Sequence, residues 1–252
     1  MIPRVLATRY VAPLREGGSL PGLVEAEDLG TYVMKFRGAG QGLKALVAEV
    51  IVGELGRRLD LRVPEMRALD LSPEIGRYEA DEEVQDLLTA SIGLNLGIDF
   101  LPGSFGYDGV AFKPSAPEAA RILWLDAFVA NVDRSWRNPN LLLWHRELWC
   151  IDHGASLYFH HNWQSSTPER FAAQRYDTGD HILAEVADGG QVEAHRALSG
   201  RITEALLQQV LDLVPDEWLE PAPGHDQPSE VRGLYLDFLK ARLESPGRWL
   251  PQ

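Results

Sequence analysis

A change of character at a glycine-rich stretch, PGSFGYDG at residues 102–109, constrains the fold of this chain more than any other feature. Before it, short apolar runs at 5–12, 22–27, 31–36 and 66–71 are broken by glycine-containing turns, a pattern typical of an antiparallel meander. Apolar residues spaced by three and four predict a long helix at 43–61. A shorter helix is predicted at 79–91 and an extended run at 94–101.

The chain beyond this stretch is mainly helical in pattern. Ser115 is a good capping residue for a helix that runs through ILWLDAFVA and stops at Asn131. Two short strands at 141–144 and 148–151 follow, and helices return near 182–187, 193–198, 202–214 and 230–243. We therefore predict an α+β protein of two lobes, residues 1–103 and 104–252, which together form one domain.

Composition excludes several classes of function. With 252 residues, 45% of them hydrophobic, the chain can bury a sizeable core. A formal net charge of -13 argues against nucleic-acid binding. A lone cysteine, Cys150, rules out an intramolecular disulfide, and no apolar run is long enough to span a membrane. Since the N-terminal residues also lack the pattern of a signal peptide, we expect a soluble, cytoplasmic protein.

Residues 131–154, NVDRSWRNPNLLLWHRELWCIDHG, carry side chains suited to phosphoryl transfer. This chemistry needs a carboxylate to orient or deprotonate the acceptor, and oxygen ligands for a metal that neutralises phosphate charge. Asp133 follows a buried helix and is a candidate for the first role. Asp152, at the exit of the second strand, offers the hard oxygens that Mg²⁺ prefers. A hairpin between the two would bring Asp152 back beside Asn138 or Asn140, either of which could be a second metal ligand.

These motifs resemble a known family. Asp133-Arg134 with an Asn five residues after the Asp, then a hairpin and Ile-Asp-His-Gly, is similar to the D-R-x-x-x-N and D-x-G motifs of HipA-like kinases and the related phosphatidylinositol 3- and 4-kinases. Short bacterial HipA-like kinase domains are the nearest match, over residues 5–160. The resemblance implies a protein-kinase-like fold, with an antiparallel sheet and one helix in the first lobe and a mainly helical second lobe. It also implies ATP and Mg²⁺ as cofactors.

The resemblance assigns further residues. Lys35 in TYVMKF is similar to the lysine that anchors phosphate, and Glu49 to its glutamate partner, with Glu54 left open because the helix is apolar nearly all round. Other predicted cofactor-binding residues are Gly17, Gly18 and Ser19, which stand where the family has a phosphate-covering loop, and Leu101, which stands where the lobes meet. Arg134 is expected to brace the catalytic loop. The five-residue spacing favours Asn138 as the metal ligand, whereas Asn140 directly precedes a strand.

The function implied is transfer of the γ-phosphate of ATP to a hydroxyl group. Three classes of acceptor stay open: protein Ser/Thr, which is favoured, a small hydroxylated metabolite and a lipid headgroup. Trp136 is a candidate wall of the acceptor pocket. One alternative is a pseudokinase that binds nucleotide without turnover. Another is a zinc hydrolase that uses His145, His153, His160 and His161, which the absence of Cys partners disfavours.

Overall fold

The first half of the chain folds into a closed five-stranded barrel with the strand order β1-β2-β3-β5-β4. A computed structural model of the protein describes residues 1–14, 20–77 and 79–251. The barrel strands are β1 (Arg4–Pro13), β2 (Gly22–Ala26), β3 (Thr31–Lys35), β4 (Met66–Leu71) and β5 (Gly93–Asp99). Burial alternates along β3, so that Tyr32 and Met34 fill the barrel while Val33 and Lys35 lie on its other face.

One strand pairing differs from the predicted antiparallel sheet. Strands β1 and β4 run parallel, with Val5 opposite Leu69, whereas the other four pairings of the barrel are antiparallel. Parallel neighbours need a long connection, and here it contains two hairpin strands and helix α1 (Gly42–Arg58). A second helix, α2 (Glu82–Ala90), also lies in this half; the sequence pattern predicted it at 79–91, whereas the resemblance implied only one helix in the first lobe. Its Val84 and Leu88 pack into the barrel core.

Helix α1 is buried almost all round because it lies between the barrel and the second half of the chain. Its buried residues include Leu46, Val50 and Leu55, which share one core with the later helices. The helix ends at Arg58, three residues before the end of the apolar pattern. Asp60 takes a left-handed conformation with φ 59°, and Leu59 and Leu61 remain in the core as part of the turn. Apolar spacing therefore continued beyond the helix itself.

The second half is mainly helical, as predicted. A small sheet of β6 (Phe105–Gly106), β7 (Leu141–Trp144) and β8 (Glu147–Cys150) lies beside the long helix α3 (Ala116–Val129). Trp124 and Phe128 of α3 stack at 5.4 Å in the core. The remaining helices are α4 (Pro168–Ala173), α5 (Ala184–Ala187), α6 (Gln191–Leu198), α7 (Glu204–Leu211), α8 (Pro228–Leu243) and α9 (Pro246–Trp249).

Candidate active site

A cavity of about 930 Å³ lies where the barrel meets the second half of the chain. One wall comes from β3 and the turn before α1, and the other from β7 and the residues that follow β8. Its volume is in the range of cofactor and ligand pockets. The predicted site residues that line it are Lys35, Leu101, Asp133, Asn138, Asn140 and Asp152. The predicted Gly17, Gly18 and Ser19 lie outside the described residues.

Lys35, at the end of β3, joins two carboxylates from distant parts of the chain. Its Nζ donates to Glu49 Oε1 and to Asp152 Oδ1, the latter at 2.6 Å. Burial alone would lower the pKa of Lys35, but the two carboxylates outweigh it and raise the pKa to about 12. The lysine is therefore a permanent cation at the cavity wall. Glu54, the alternative partner, instead lies 3.6 Å from Arg57 Nε.

The two carboxylates that bind Lys35 differ in exposure. The Glu49 side chain is 1% exposed, and burial raises its pKa even though Lys35 opposes the shift. Asp152 has a side chain that is 44% exposed toward the cavity; burial would raise its pKa, but Lys35 holds it below its usual range. Asp152 is therefore the carboxylate available to a ligand. Glu49 also accepts the Gly154 N–H at 2.8 Å, which fixes the turn after Asp152.

One carboxylate oxygen of Asp133 accepts hydrogen bonds from two side-chain amides. Asn138 Nδ2 donates to Asp133 Oδ2 at 2.7 Å, and Asn140 Nδ2 donates to the same oxygen at 3.0 Å. Asn138 is exposed, whereas Asn140 is buried and also donates to the Asp133 carbonyl at 3.5 Å. With their nitrogens turned to Asp133, both amides keep an oxygen that can serve as a ligand. The arrangement orients Asp133 without neutralising it.

Arg134 is buried beneath the loop that holds Asp133. Its Nε donates to Asp126 Oδ2 at 2.6 Å, and its Nη1 donates to the carbonyls of Asn140 and, at 3.4 Å, Ile151. Burial would lower the pKa of Arg134, but Asp126 outweighs it and raises that pKa above its usual range. Arg134 thus joins the Asp133 loop to the strand that leads to Asp152.

The histidines considered as zinc ligands have other contacts. His153 Nδ1 accepts from Arg134 Nη2 at 3.2 Å, and burial, followed by the Arg134 charge, lowers the His153 pKa to about 3. His160 Nδ1 bonds the Tyr235 hydroxyl at 2.9 Å, and His145 packs on Trp144 at 4.4 Å. Within residues 1–14, 20–77 and 79–251, no group of three or more His, Cys, Asp or Glu side chains is placed to hold a metal ion.

Trp136, the candidate wall of an acceptor pocket, is not among the described residues that line the cavity. Trp136 is 57% exposed in the loop that follows Asp133, and the Arg137 guanidinium lies 4.1 Å from its ring centre. Its backbone N–H donates to the Asp180 carbonyl at 3.0 Å. The ring therefore lies on the surface of a loop whose backbone is hydrogen-bonded to Asp180.

Two features of the site were not found from the sequence. Gly40 and Gln41, in a second glycine-containing turn directly before α1, line the cavity. The repeated glycines of GAGQG could have signalled this turn. Asp126 lies in the apolar helix α3 with 0% exposure and accepts from Arg134, Asn131 and His181. A lone carboxylate in an apolar helical run is itself a signal, because a buried charge must be paired.

Comparisons with known proteins identify the family and the fold. A family model described as HipA-like kinase matches residues 8–246. The crystal structure of a Helicobacter pylori proinflammatory kinase, CtkA, superimposes with a TM-score of 0.57 at 13% identity and covers 96% of this chain and 99% of its own. The structure of the Golgi casein kinase gives 0.50 at 11% identity, over 97% of this chain and 75% of its own. The fold is therefore kinase-like.

No curated protein matches the chain by sequence. Across the part of the chain that the structure describes, none of the helices has the length and apolar character needed to cross a membrane.

Proposed function

Because this chain belongs to the HipA-like kinase family, we propose that it is a phosphotransferase that moves the γ-phosphate of ATP to a hydroxyl acceptor, with protein Ser/Thr favoured. The observation that carries the proposal is the convergence of Lys35, Asp133 and Asp152 on one cavity of about 930 Å³. Phosphoryl transfer depends on positioning and charge stabilisation. Lys35 supplies a cation for the phosphates, Asp133 a carboxylate that can orient the acceptor, and Asp152 a carboxylate that can bind a metal ion.

Nucleotide binding is assigned to the junction between two lobes, residues 1–103 and 104–252. Leu101 and Tyr107 line the cavity near this boundary and offer apolar surface to a base. Lys35 lies on the same cavity and offers its ammonium group to phosphate oxygens. Glu49 keeps that ammonium in place, since its buried carboxylate binds both Lys35 and the Gly154 N–H.

The donor set in the cavity fits a magnesium ion. Asp152 presents a partly exposed carboxylate and Asn138 an exposed amide, and carboxylate and amide oxygens are ligands suited to this hard cation. Asn140 is assigned to hold Asp133, because it is buried and donates to Asp133 twice. When bound, Mg²⁺ would neutralise charge on the phosphates.

Asp133 is assigned the acceptor side of the reaction. Its carboxylate lines the cavity and is fixed by two amide donors, so it can orient a hydroxyl group and accept its proton. Asn131 fixes the backbone of the same residue, because its Oδ1 accepts the Asp133 N–H at 3.0 Å. The loop therefore presents Asp133 in one defined position.

The test is incubation of the purified chain with Mg²⁺ and ATP, with ADP release and intact mass as readouts. Wild-type protein is expected to turn over ATP, and Asp133→Asn to lower the rate by roughly 10²-fold or more. Asp188→Asn is a matched control, because Asp188 is exposed and Asn tolerates its left-handed conformation, φ 47°. Thermal stabilisation by nucleotide without turnover would identify a pseudokinase instead. Absence of both effects would contradict the kinase assignment.

A further inference from the structure

Asp126 is a charged group that the proposed chemistry does not use directly. It lies in α3 with 0% exposure and is not among the described residues that line the cavity. Burying a carboxylate is costly unless it is paired and hydrogen-bonded. The hydrogen-bond partners of Asp126 therefore indicate its role.

Two of its partners belong to the loop that holds Asp133. Asn131 Nδ2 donates to Asp126 Oδ1 at 2.9 Å, and Asn131 Oδ1 in turn accepts the Asp133 backbone N–H. Arg134 Nε donates to Asp126 Oδ2, and its Nη1 donates to the Asn140 carbonyl. A single carboxylate thus fixes the loop on both sides of Asp133.

The third partner is distant in sequence. Leu183 N–H donates to His181 Nδ1 at 3.1 Å, so Nε2 carries the ring proton and donates to Asp126 Oδ2 at 3.0 Å. The backbone strengthens this link, because Ser135 and His181 form a β-bridge and Trp136 N–H donates to the Asp180 carbonyl. Residues 180–183 are therefore tied to the catalytic loop through the same buried carboxylate.

We propose that Asp126 is a positioning residue for the transfer step, and that His181 extends its control to residues 180–183. The inference rests on the proposed function, since it concerns how Asp133 is held during that reaction. No hydrogen bond or ion pair found among the described residues joins Asp126 to Lys35, Glu49 or Asp152. Arg134 has its own bonds to the Asn140 and Ile151 carbonyls, which do not involve Asp126. Loss of the Asp126 contacts is therefore expected to lower kcat and to leave the KM for ATP nearly unchanged, whereas loss of Arg134 itself would affect both.

A buried charge that merely stabilises the core would behave differently, and Arg242 provides the control. It is also 0% exposed, but it donates to the carbonyls of Ala127 and Phe171 and packs against the Trp249 ring. Arg242→Met is expected to lower the melting temperature while kcat per folded molecule stays within about twofold, because the Asp133 loop keeps its contacts.

The experiment compares Asp126→Asn, His181→Leu, His181→Gln and Arg242→Met by steady-state kinetics with Mg²⁺ and ATP, corrected for the folded fraction. Asp126→Asn and His181→Leu are expected to lower kcat by roughly tenfold or more with the KM for ATP within about threefold of wild type. His181→Gln is expected to recover most of that loss, because its amide can donate from nearly the position of Nε2. Equal loss in His181→Gln and His181→Leu, or wild-type kcat in Asp126→Asn, would overturn the proposal.

A second readout does not depend on activity. Hydrogen exchange is followed in peptides that cover residues 131–140 and 178–184. Both segments are expected to exchange faster together in Asp126→Asn and His181→Leu, and to stay protected in Arg242→Met. Unchanged exchange in the first two variants overturns the positioning role. If wild-type protein shows no turnover, the exchange result alone decides this inference and only the proposed function falls. Should Asp126→Asn fail to fold, the His181 pair decides.

Discussion

Replacement of Lys35 by methionine removes the ammonium group that binds both Glu49 and Asp152. Glu49, with a side chain only 1% exposed, then becomes a buried charge without an ammonium partner, although it keeps the Gly154 N–H. Removing one member of a buried ion pair costs about 3–5 kcal/mol. The remaining hydrogen bond and the 44% exposure of the Asp152 side chain place this case at the lower end, about 3 kcal/mol.

A double variant distinguishes this loss of stability from the loss of function. At about 2–4 °C per kcal/mol for a chain of this size, Lys35→Met is expected to melt about 6–12 °C below wild type. Adding Glu49→Gln removes the stranded charge and should restore more than about half of that difference. Turnover should stay at background in both variants, because neither restores a cation at the phosphates.

The assay is thermal unfolding followed by circular dichroism, together with ATP turnover on the same samples. An unchanged melting temperature in Lys35→Met would contradict the view that Lys35 compensates a buried charge. A double variant as unstable as the single one would show that the cost comes from lost packing of the lysine stem. Recovered turnover in the double variant would show that the reaction does not need Lys35.

Three other results are expected. In a titration of ATP turnover with Mg²⁺, Asn138→Ala should raise the half-saturating Mg²⁺ concentration about tenfold, whereas Asn140→Ala should mainly lower kcat; the reverse pattern would exchange their roles. Burial lowers the pKa of His160 in the folded chain well below 6.5. As the pH falls below about 6.5, this histidine therefore binds a proton in the unfolded chain but not in the folded one, and the free energy of unfolding decreases. His160→Asn should make the decrease shallower by up to about 1.4 kcal/mol per pH unit in urea unfolding, and an equal slope would refute this. Gly154→Ala should lower turnover about tenfold, because its Cβ would lie 3.2 Å from Glu49 Oε1, and wild-type rates would contradict the tight fit.

The sequence predicted the parts of the fold that depend on neighbouring residues. Alternating apolar residues placed Lys35 on a strand, and the strand pair β7 and β8 was predicted within one residue of its bounds. The resemblance to HipA-like kinases, drawn from residues 131–154, is confirmed by the family match over residues 8–246. Each of these predictions used a signal contained within a short stretch of chain.

Long-range contacts could not be predicted in the same way. The parallel pairing of β1 with β4 depends on the path of the chain between them, and no local pattern distinguishes it from an antiparallel closure. The sequence could not show whether Glu49 or Glu54 pairs with Lys35. Helix α1 is buried on nearly every side, so the spacing of its apolar residues does not indicate which face is turned toward the barrel. The ion pair with Lys35 in the folded chain selects Glu49.

Asp152 and Asp133, the two carboxylates assigned to the reaction, are held by different parts of the molecule. Substitutions around each are therefore expected to have different effects. Asp152 is fixed by Lys35 of the barrel and by the turn bound to Glu49, so changes there should alter nucleotide and metal affinity first. Asp133 is fixed from below by Asn131 and Asp126 of the helical half, so changes there should alter kcat first. Arg134 bridges the two, because it binds the carbonyls of Asn140 and Ile151. Arg134→Met should therefore impair both affinity and kcat, and a variant that lost only one would show that the two carboxylates are positioned independently.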